Sequence, residues 1–214
     1  MKILELFAGS RSFSRTAENN IKNVKTYTSD IEPFKDIDQV SDIMNFNIGK
    51  AIDYLGGVPN VVWASPPCTY FSVASIGHHW NKDHSPKTEK AVEGVNIVKK
   101  TMDIIKELKF INPDLVYFVE NPRGKLRKLN LIDPYQLKTV TYCSYGDMRM
   151  KPTDIWTNSN WLPRPMCYNG NRSCHHQPAP RGSQTGTQGL KNAYEKSKIP
   201  KELCLEILNS LSKN

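Results

Sequence analysis

The apolar positions of this chain follow two rhythms. Short apolar runs at residues 2–7, 24–28, 61–64 and 115–119, each closed abruptly by small or polar residues, read as buried strands. Stretches with helical spacing lie between them at 13–20, at 48–55, where Gly56-Gly57 stops the pattern, and at 89–110, with Val92, Val95, Val98, Met102, Ile105 and Leu108 on one stripe. Residues 39–43 read as a short strand or strand end, and 136–143 and 152–156 as two more strands. Pro200 opens a last amphipathic helix with Leu203, Ile207, Leu208 and Leu211 on one face. This alternation predicts an α/β fold, a mostly parallel, doubly wound sheet with helices on both faces.

The rhythm breaks twice. Residues 72–87 hold Gly77, His78, His79, Trp80, Lys82, His84 and Lys87 without periodicity, which reads as a long solvated loop of functional length; its histidines fit no compact metal site. Residues 161–198 are rich in proline and glycine and read as a small irregular insertion. The expected boundaries are therefore 1–160 for the main domain, 161–198 for the insertion and 199–214 for a helix that packs back. The insertion carries Cys167, Cys174, His175 and His176. Cys167, Cys174 and His175 are candidate zinc ligands, since small loop-rich units often need a metal to hold them, but the spacing matches no standard finger and the expectation is no metal.

Composition narrows the partners. A chain of 214 residues accommodates one core plus an appendage, and no apolar run is long enough for a bilayer. Glu5 interrupts the first apolar run and no small-residue cleavage site follows, so the start does not read as a signal peptide and a cytoplasmic protein is expected. Five scattered cysteines, an odd number, read as free thiols rather than a disulfide framework. The net charge of +8 points to a polyanion, because lysine and arginine that neutralise phosphates release counterions.

Chemistry gathers at the strand tips. Strand one turns through Phe7-Ala8-Gly9-Ser10 into a helix, an arrangement that presents backbone N–H groups to an anion or cofactor. Asp30 ends the second strand, where an acid either holds ribose hydroxyls or caps the next turn. The run 61–64 stops at Ser65-Pro66-Pro67-Cys68, which leaves Cys68 at the carboxyl edge of the sheet as a candidate nucleophile; the competing reading is a packing thiol. Strand 115–119 runs into Glu120-Asn121-Pro122 and is expected to stop at the proline. A carboxylate there is costly unless it serves a purpose.

Together these residues resemble the DNA (cytosine-5)-methyltransferases, in a short form of the kind found in phages and other viruses. The resemblance covers residues 1 to about 158 and, more faintly, the last helix. It rests on Phe7-Ala8-Gly9-Ser10, Asp30, Asp42-Ile43, Pro66-Pro67-Cys68 and Glu120-Asn121-Pro122 in that order, with Arg149 and Lys151 where the family keeps basic residues. It implies a Rossmann-like, S-adenosylmethionine-dependent fold in which Cys68, Glu120 and Arg149 are catalytic. Phe7, Ala8, Gly9, Ser10, Asp30, Ile31, Asp42, Ile43 and Pro66 would hold the cofactor. It further implies methylation of cytosine carbon-5 in DNA by a monomer, through a covalent cysteine adduct and base flipping, in a prokaryotic or phage-infected cell. Residues 72–87 would be the lid and 161–198 a reduced target-recognition region of short or relaxed specificity. RNA as the substrate, and a non-catalytic DNA-binding relative, are the alternatives. Two departures stand out: Arg11 replaces the usual second glycine of the first motif, and Ile31 stands where an aromatic often packs on adenine.

Overall fold

The computed structural model describes residues 1–177 and 193–211. In chain order it runs through strand β1 (Lys2–Leu6), helix α1 (Ser12–Asn20), strands β2 (Lys25–Asp30) and β3 (Gln39–Val40), helix α2 (Ile48–Leu55) and strand β4 (Val61–Ala64). The short helix α3 (Ile76–His79), the long α4 (Glu89–Ile111), strands β5 (Val116–Pro122), β6 (Leu137–Thr141) and β7 (Pro152–Thr157), and helices α5 (Ala193–Ser197) and α6 (Lys201–Leu211) complete it. A single sheet of seven strands in the order β3-β2-β1-β4-β5-β7-β6 carries the fold. The pairs from β3 through β5 are parallel, and β7 runs antiparallel to both its neighbours.

Strand alternation explains why the apolar runs are unbroken. Leu4, Val62, Ala64, Tyr117 and Val119 face a core that takes in Ile104, Ile105 and Leu108 of α4. Their sequence neighbours Ile3, Val61, Trp63 and Phe118 face the other side, against Phe13 and Ala17 of α1 and Leu203, Ile207 and Leu208 of α6. Successive side chains point to opposite faces, so a strand covered on both sides needs apolar residues at every position. Phe13 stacks on Trp63 at 4.7 Å between ring centroids. Among the described residues no helix is long and apolar enough to cross a membrane.

The order matters because the chain winds outward from β1 in one direction, to β2 and β3, and from β4 in the other. The sheet therefore reverses between β1 and β4, and in open α/β sheets the crevice outside the carboxyl ends of the strands at such a point is where ligands bind. The turns at residues 7–11 and 65–68 both leave the sheet there.

Three expectations are corrected. β5 does not end with the apolar run at residue 119: the antiparallel partner β7 carries the pairing on through Glu120 and Asn121 to the expected stop at Pro122, opposite Thr153. Segment 72–87 is not wholly solvated. Trp80 is buried, stacks on Phe71 and donates from its indole N–H to the Tyr70 carbonyl at 2.6 Å, while buried His79 meets the Thr88 hydroxyl at 2.7 Å. Val92, placed on the buried stripe of α4, is 45% exposed because it faces a cavity described below. The expected insertion 161–198 lies partly outside the described residues; of its visible parts, 161–177 is irregular and the end forms α5.

Candidate functional site

The turn after β1 is strained at two places. Phe7 and Arg11 take φ of 57° and 55°, the left-handed region in which a side chain costs roughly 1–2 kcal/mol. Arg11, standing where the family resemblance leads one to expect glycine, keeps the conformation a glycine would take. Its guanidinium pairs with Glu18 at 2.7 Å. The turn is sealed by later chain: Ser197 of α5 accepts from the Ser10 N–H at 3.2 Å, and a Cβ on Gly9 would sit 2.7 Å from the Ser197 hydroxyl oxygen. Asp30 binds the same turn, its carboxylate accepting the Gly9 N–H at 2.8 Å and the Glu32 N–H at 2.9 Å.

Beside this turn lies an open cavity of about 460 Å³, within the usual size of small-molecule sites. Phe7, Ile31, Asp42 and Ile43, four of the residues the resemblance would assign to the cofactor, line it together with Pro67 and the first turns of α4. Ala8, Gly9, Ser10, Asp30 and Pro66 do not form its wall. Pro66 instead turns inward, and its carbonyl accepts the buried Asn121 side-chain amide at 2.9 Å. Asp42 also caps its own turn by accepting the Met44 N–H at 2.9 Å.

Cys68 and Glu120 leave neighbouring parallel strands, since Ala64 is opposite Val119 in the β4–β5 register. Glu120 is buried, 5% exposed, and its carboxylate accepts the Tyr142 hydroxyl at 3.0 Å. Lys151 completes the group: its ammonium lies 3.7 Å from the same carboxylate oxygen, 3.4 Å from the Tyr142 hydroxyl and 4.4 Å from the Tyr142 ring centroid. A protonated lysine, a phenol and a carboxylate thus share one buried network at the sheet edge. Burial pushes the Cys68 thiol up from its ordinary value; the charge of Lys151 pulls it down and that of Glu120 pushes it up, so the thiol lies within the field of this network. Burial, reinforced by Glu120, holds the Tyr142 phenol well above 10, and it remains a proton donor at neutral pH.

Arg149 is placed differently. Its guanidinium forms a forked ion pair with Asp147 and lies 5.5 Å from the Tyr142 ring centroid, on the wall of the site rather than against Glu120. Lys151 is the basic residue that reaches the carboxylate. Tyr142 was invisible from sequence: nothing distinguishes a tyrosine after an apolar run from a packing aromatic. Asn121, read in sequence as part of the Glu120-Asn121-Pro122 motif with no role of its own, ties the turn after β5 to the turn after β4. The candidate metal ligands also shift. His175 points away and donates from Nε2 to the Asp147 carbonyl at 3.1 Å, whereas His176 faces Cys167, with Cys143 and Cys174 close by.

No family model matches the chain. A probable DNA (cytosine-5)-methyltransferase of Frog virus 3 (isolate Goorha) is 30% identical over 179 residues, covering 81% of this chain and 78% of that protein. Among solved structures, the Entamoeba histolytica methyltransferase EhMeth is 17% identical with a TM-score of 0.47, over 73% of this chain and 52% of its own. The S. pombe Dnmt2 methyltransferase is 14% identical with a TM-score of 0.43, over 76% of this chain and 53% of its own. The chain spans about half the length of these solved structures.

Proposed function

The chain belongs to the DNA (cytosine-5)-methyltransferase family, and on that footing we propose that it methylates carbon-5 of cytosine in DNA through a covalent adduct on Cys68. Its cofactor is S-adenosylmethionine, which supplies an electrophilic methyl group when bound. The cavity at the sheet reversal suits that donor. Phe7, Ile31 and Ile43 offer apolar walls for an adenine, and the carboxylates of Asp42, Glu89 and Glu93 suit a cationic ligand.

The chain's own residues do the rest. The Cys68 thiol gives its proton to water, and the thiolate sulfur bonds to cytosine carbon-6 with its own electron pair, while the carbon-5 to carbon-6 pair shifts to the carbon-4 to carbon-5 bond and the carbon-4 to N3 pair moves onto N3. The acid form of Glu120 donates a proton or hydrogen bond there, so that carbon-5 becomes enamine-like and nucleophilic. After carbon-5 takes the methyl group with its enamine pair, water removes the carbon-5 proton, the pair of that bond re-forms the carbon-5 to carbon-6 double bond, and the sulfur leaves carbon-6 as thiolate. A thiolate suits both addition and departure. Lys151 and Tyr142 keep Glu120 oriented and supply the positive charge and donor that its carboxylate needs while Cys68 is ionised. Arg149 steadies the target base or its phosphate from beside Tyr142. The base leaves the duplex to reach Cys68, residues 72–87 cover it, and the short segment after Trp161 reads few bases.

The observation that supports this reading most is that Cys68 and the Glu120–Tyr142–Lys151 network leave neighbouring parallel strands beside a small-molecule cavity at the sheet reversal. Transfer of labelled methyl from S-adenosylmethionine to duplex DNA and to transfer RNA, compared side by side, tests it. Label enters DNA, Cys68→Ala abolishes it, and Glu120→Gln lowers the rate by about 10²–10⁴-fold. Label in RNA alone overturns the choice of substrate, and transfer that survives Cys68→Ala overturns the mechanism.

A further inference from the structure

We propose that Cys143, Cys167, Cys174 and His176 bind a structural zinc ion that fastens segment 161–177 to the wall of the catalytic site. The sulfur atoms of the three cysteines and a ring nitrogen of His176 all lie within 4.8 Å of one another. A tetrahedral zinc, with bonds of about 2.3 Å to sulfur and about 2.0 Å to nitrogen, spaces its ligands roughly 3.5–3.8 Å apart. Cys167 Sγ and His176 Nδ1 are already 3.8 Å apart. Three thiols and one imidazole form the Cys₃His set of closed structural sites, and all three cysteines are free.

The surroundings are those of a staple. Cys143 and His176 are buried, and Asn171 donates its side-chain amide to Cys167 Sγ at 3.4 Å, the kind of outer-shell bond that orients a thiolate ligand. Past Trp161, which is buried against Phe118, the segment 162–177 contains neither strand nor helix and leaves Leu162, Met166 and Tyr168 exposed, so apolar burial contributes little to the order of that part. It is nonetheless pinned on either side of the cluster: the Cys167 N–H donates to Thr141 Oγ1 at 2.8 Å and the Gln177 N–H to the Met148 carbonyl at 2.9 Å. Cys143 comes from a different part of the chain, the turn after β6. It directly follows Tyr142, the residue that holds Glu120. An ion at this point would join the segment best placed to meet the substrate to the turn that positions the buried carboxylate.

The inference does not depend on the reaction, and its test reads metal rather than methyl transfer. Full-length protein purified under reducing conditions from zinc-supplemented cells should carry about one zinc per chain after dialysis. Cys143→Ser, Cys167→Ser and His176→Ala should each lower the zinc affinity by about tenfold or more, whereas His175→Ala should leave it unchanged. Because a ligand variant can fail to fold, wild type reloaded with cobalt(II) supplies a second reading: intense tetrahedral visible bands with thiolate charge transfer in the near ultraviolet. Metal-free wild-type protein, a weak octahedral cobalt spectrum, or zinc that stays with the ligand variants but leaves with His175→Ala would overturn the proposal.

Discussion

Two buried acids meet different fates in this molecule. Glu120 is matched by a lysine and a phenol, whereas Glu5, 1% exposed, accepts the Phe13 and Ser14 N–H groups at the start of α1, at 3.3 and 2.8 Å. Burial raises the Glu5 pKa from 4.5 to about 7 despite those bonds. Between these values the native state keeps a proton that the unfolded chain releases, so stability falls as pH rises from 4.5 through about 7. Glu5→Gln removes that dependence. Its urea-unfolding stability should gain on wild type from about pH 5 to about pH 8, by on the order of 3 kcal/mol at most; a difference that stays constant with pH contradicts the assignment. Cys68 offers a second titration. Its thiol is raised by burial and partly restored by Lys151, so alkylation by iodoacetamide should accelerate into the alkaline range, and Lys151→Met should move the profile further alkaline. Peptide mapping of the alkylated residue measures this, and an unmoved profile removes Lys151 from the thiol's environment.

At the scale of elements, the turn after β5 is fitted to the turn after Cys68 through close backbone contact as well as through the Asn121 amide. A Cβ on Gly124 would lie 2.2 Å from the Phe71 carbonyl oxygen, which also accepts the Lys125 N–H at 2.7 Å. Gly124→Ala therefore has to push the turn after β5 away from the turn after Cys68. The expected cost is about 1–3 kcal/mol of stability in thermal or urea unfolding, with loss of methyl transfer beyond what the stability loss explains; wild-type values for both would show the contact is dispensable. This contact also marks where sequence reading stops. The strands and long helices could be read from periodicity because each buries a regular face, and Cys68 and Glu120 stand out as candidates only in combination, because a lone thiol at the end of an apolar run is as readily a packing residue. Trp80, His79 and Gly124 could not, since each is placed by a loop packing on another stretch of loop, which no local pattern encodes.

For the whole molecule, chain order and spatial order diverge most at the site. Tyr142 and Lys151 come from the β6–β7 hairpin, and Ser197 of α5 closes on Gly9 from nearly the other end of the chain. The family resemblance places Arg149 among the catalytic residues and Pro66 at the cofactor, where the structure brings Lys151 to the carboxylate and Pro67 to the cavity wall, and the spacing of the loop-rich segment names His175, where the structure turns His176 toward Cys167. Each of these assignments falls within two residues of the group the structure brings to the spot, and turns, unlike strands, have no period from which to read which side chain points inward. The central claim is that the sheet reversal brings Cys68 to a cytosine ring. Its most direct measurement is the mass of the product formed when wild-type protein and S-adenosylmethionine meet duplex DNA containing 5-fluorocytosine, where the final loss of the carbon-5 proton is blocked. The account predicts a denaturation-resistant complex of one chain and one DNA strand, heavier by a methyl group and linked through Cys68. Absence of that complex with protein that methylates ordinary DNA, or a link through any other residue, would contradict it.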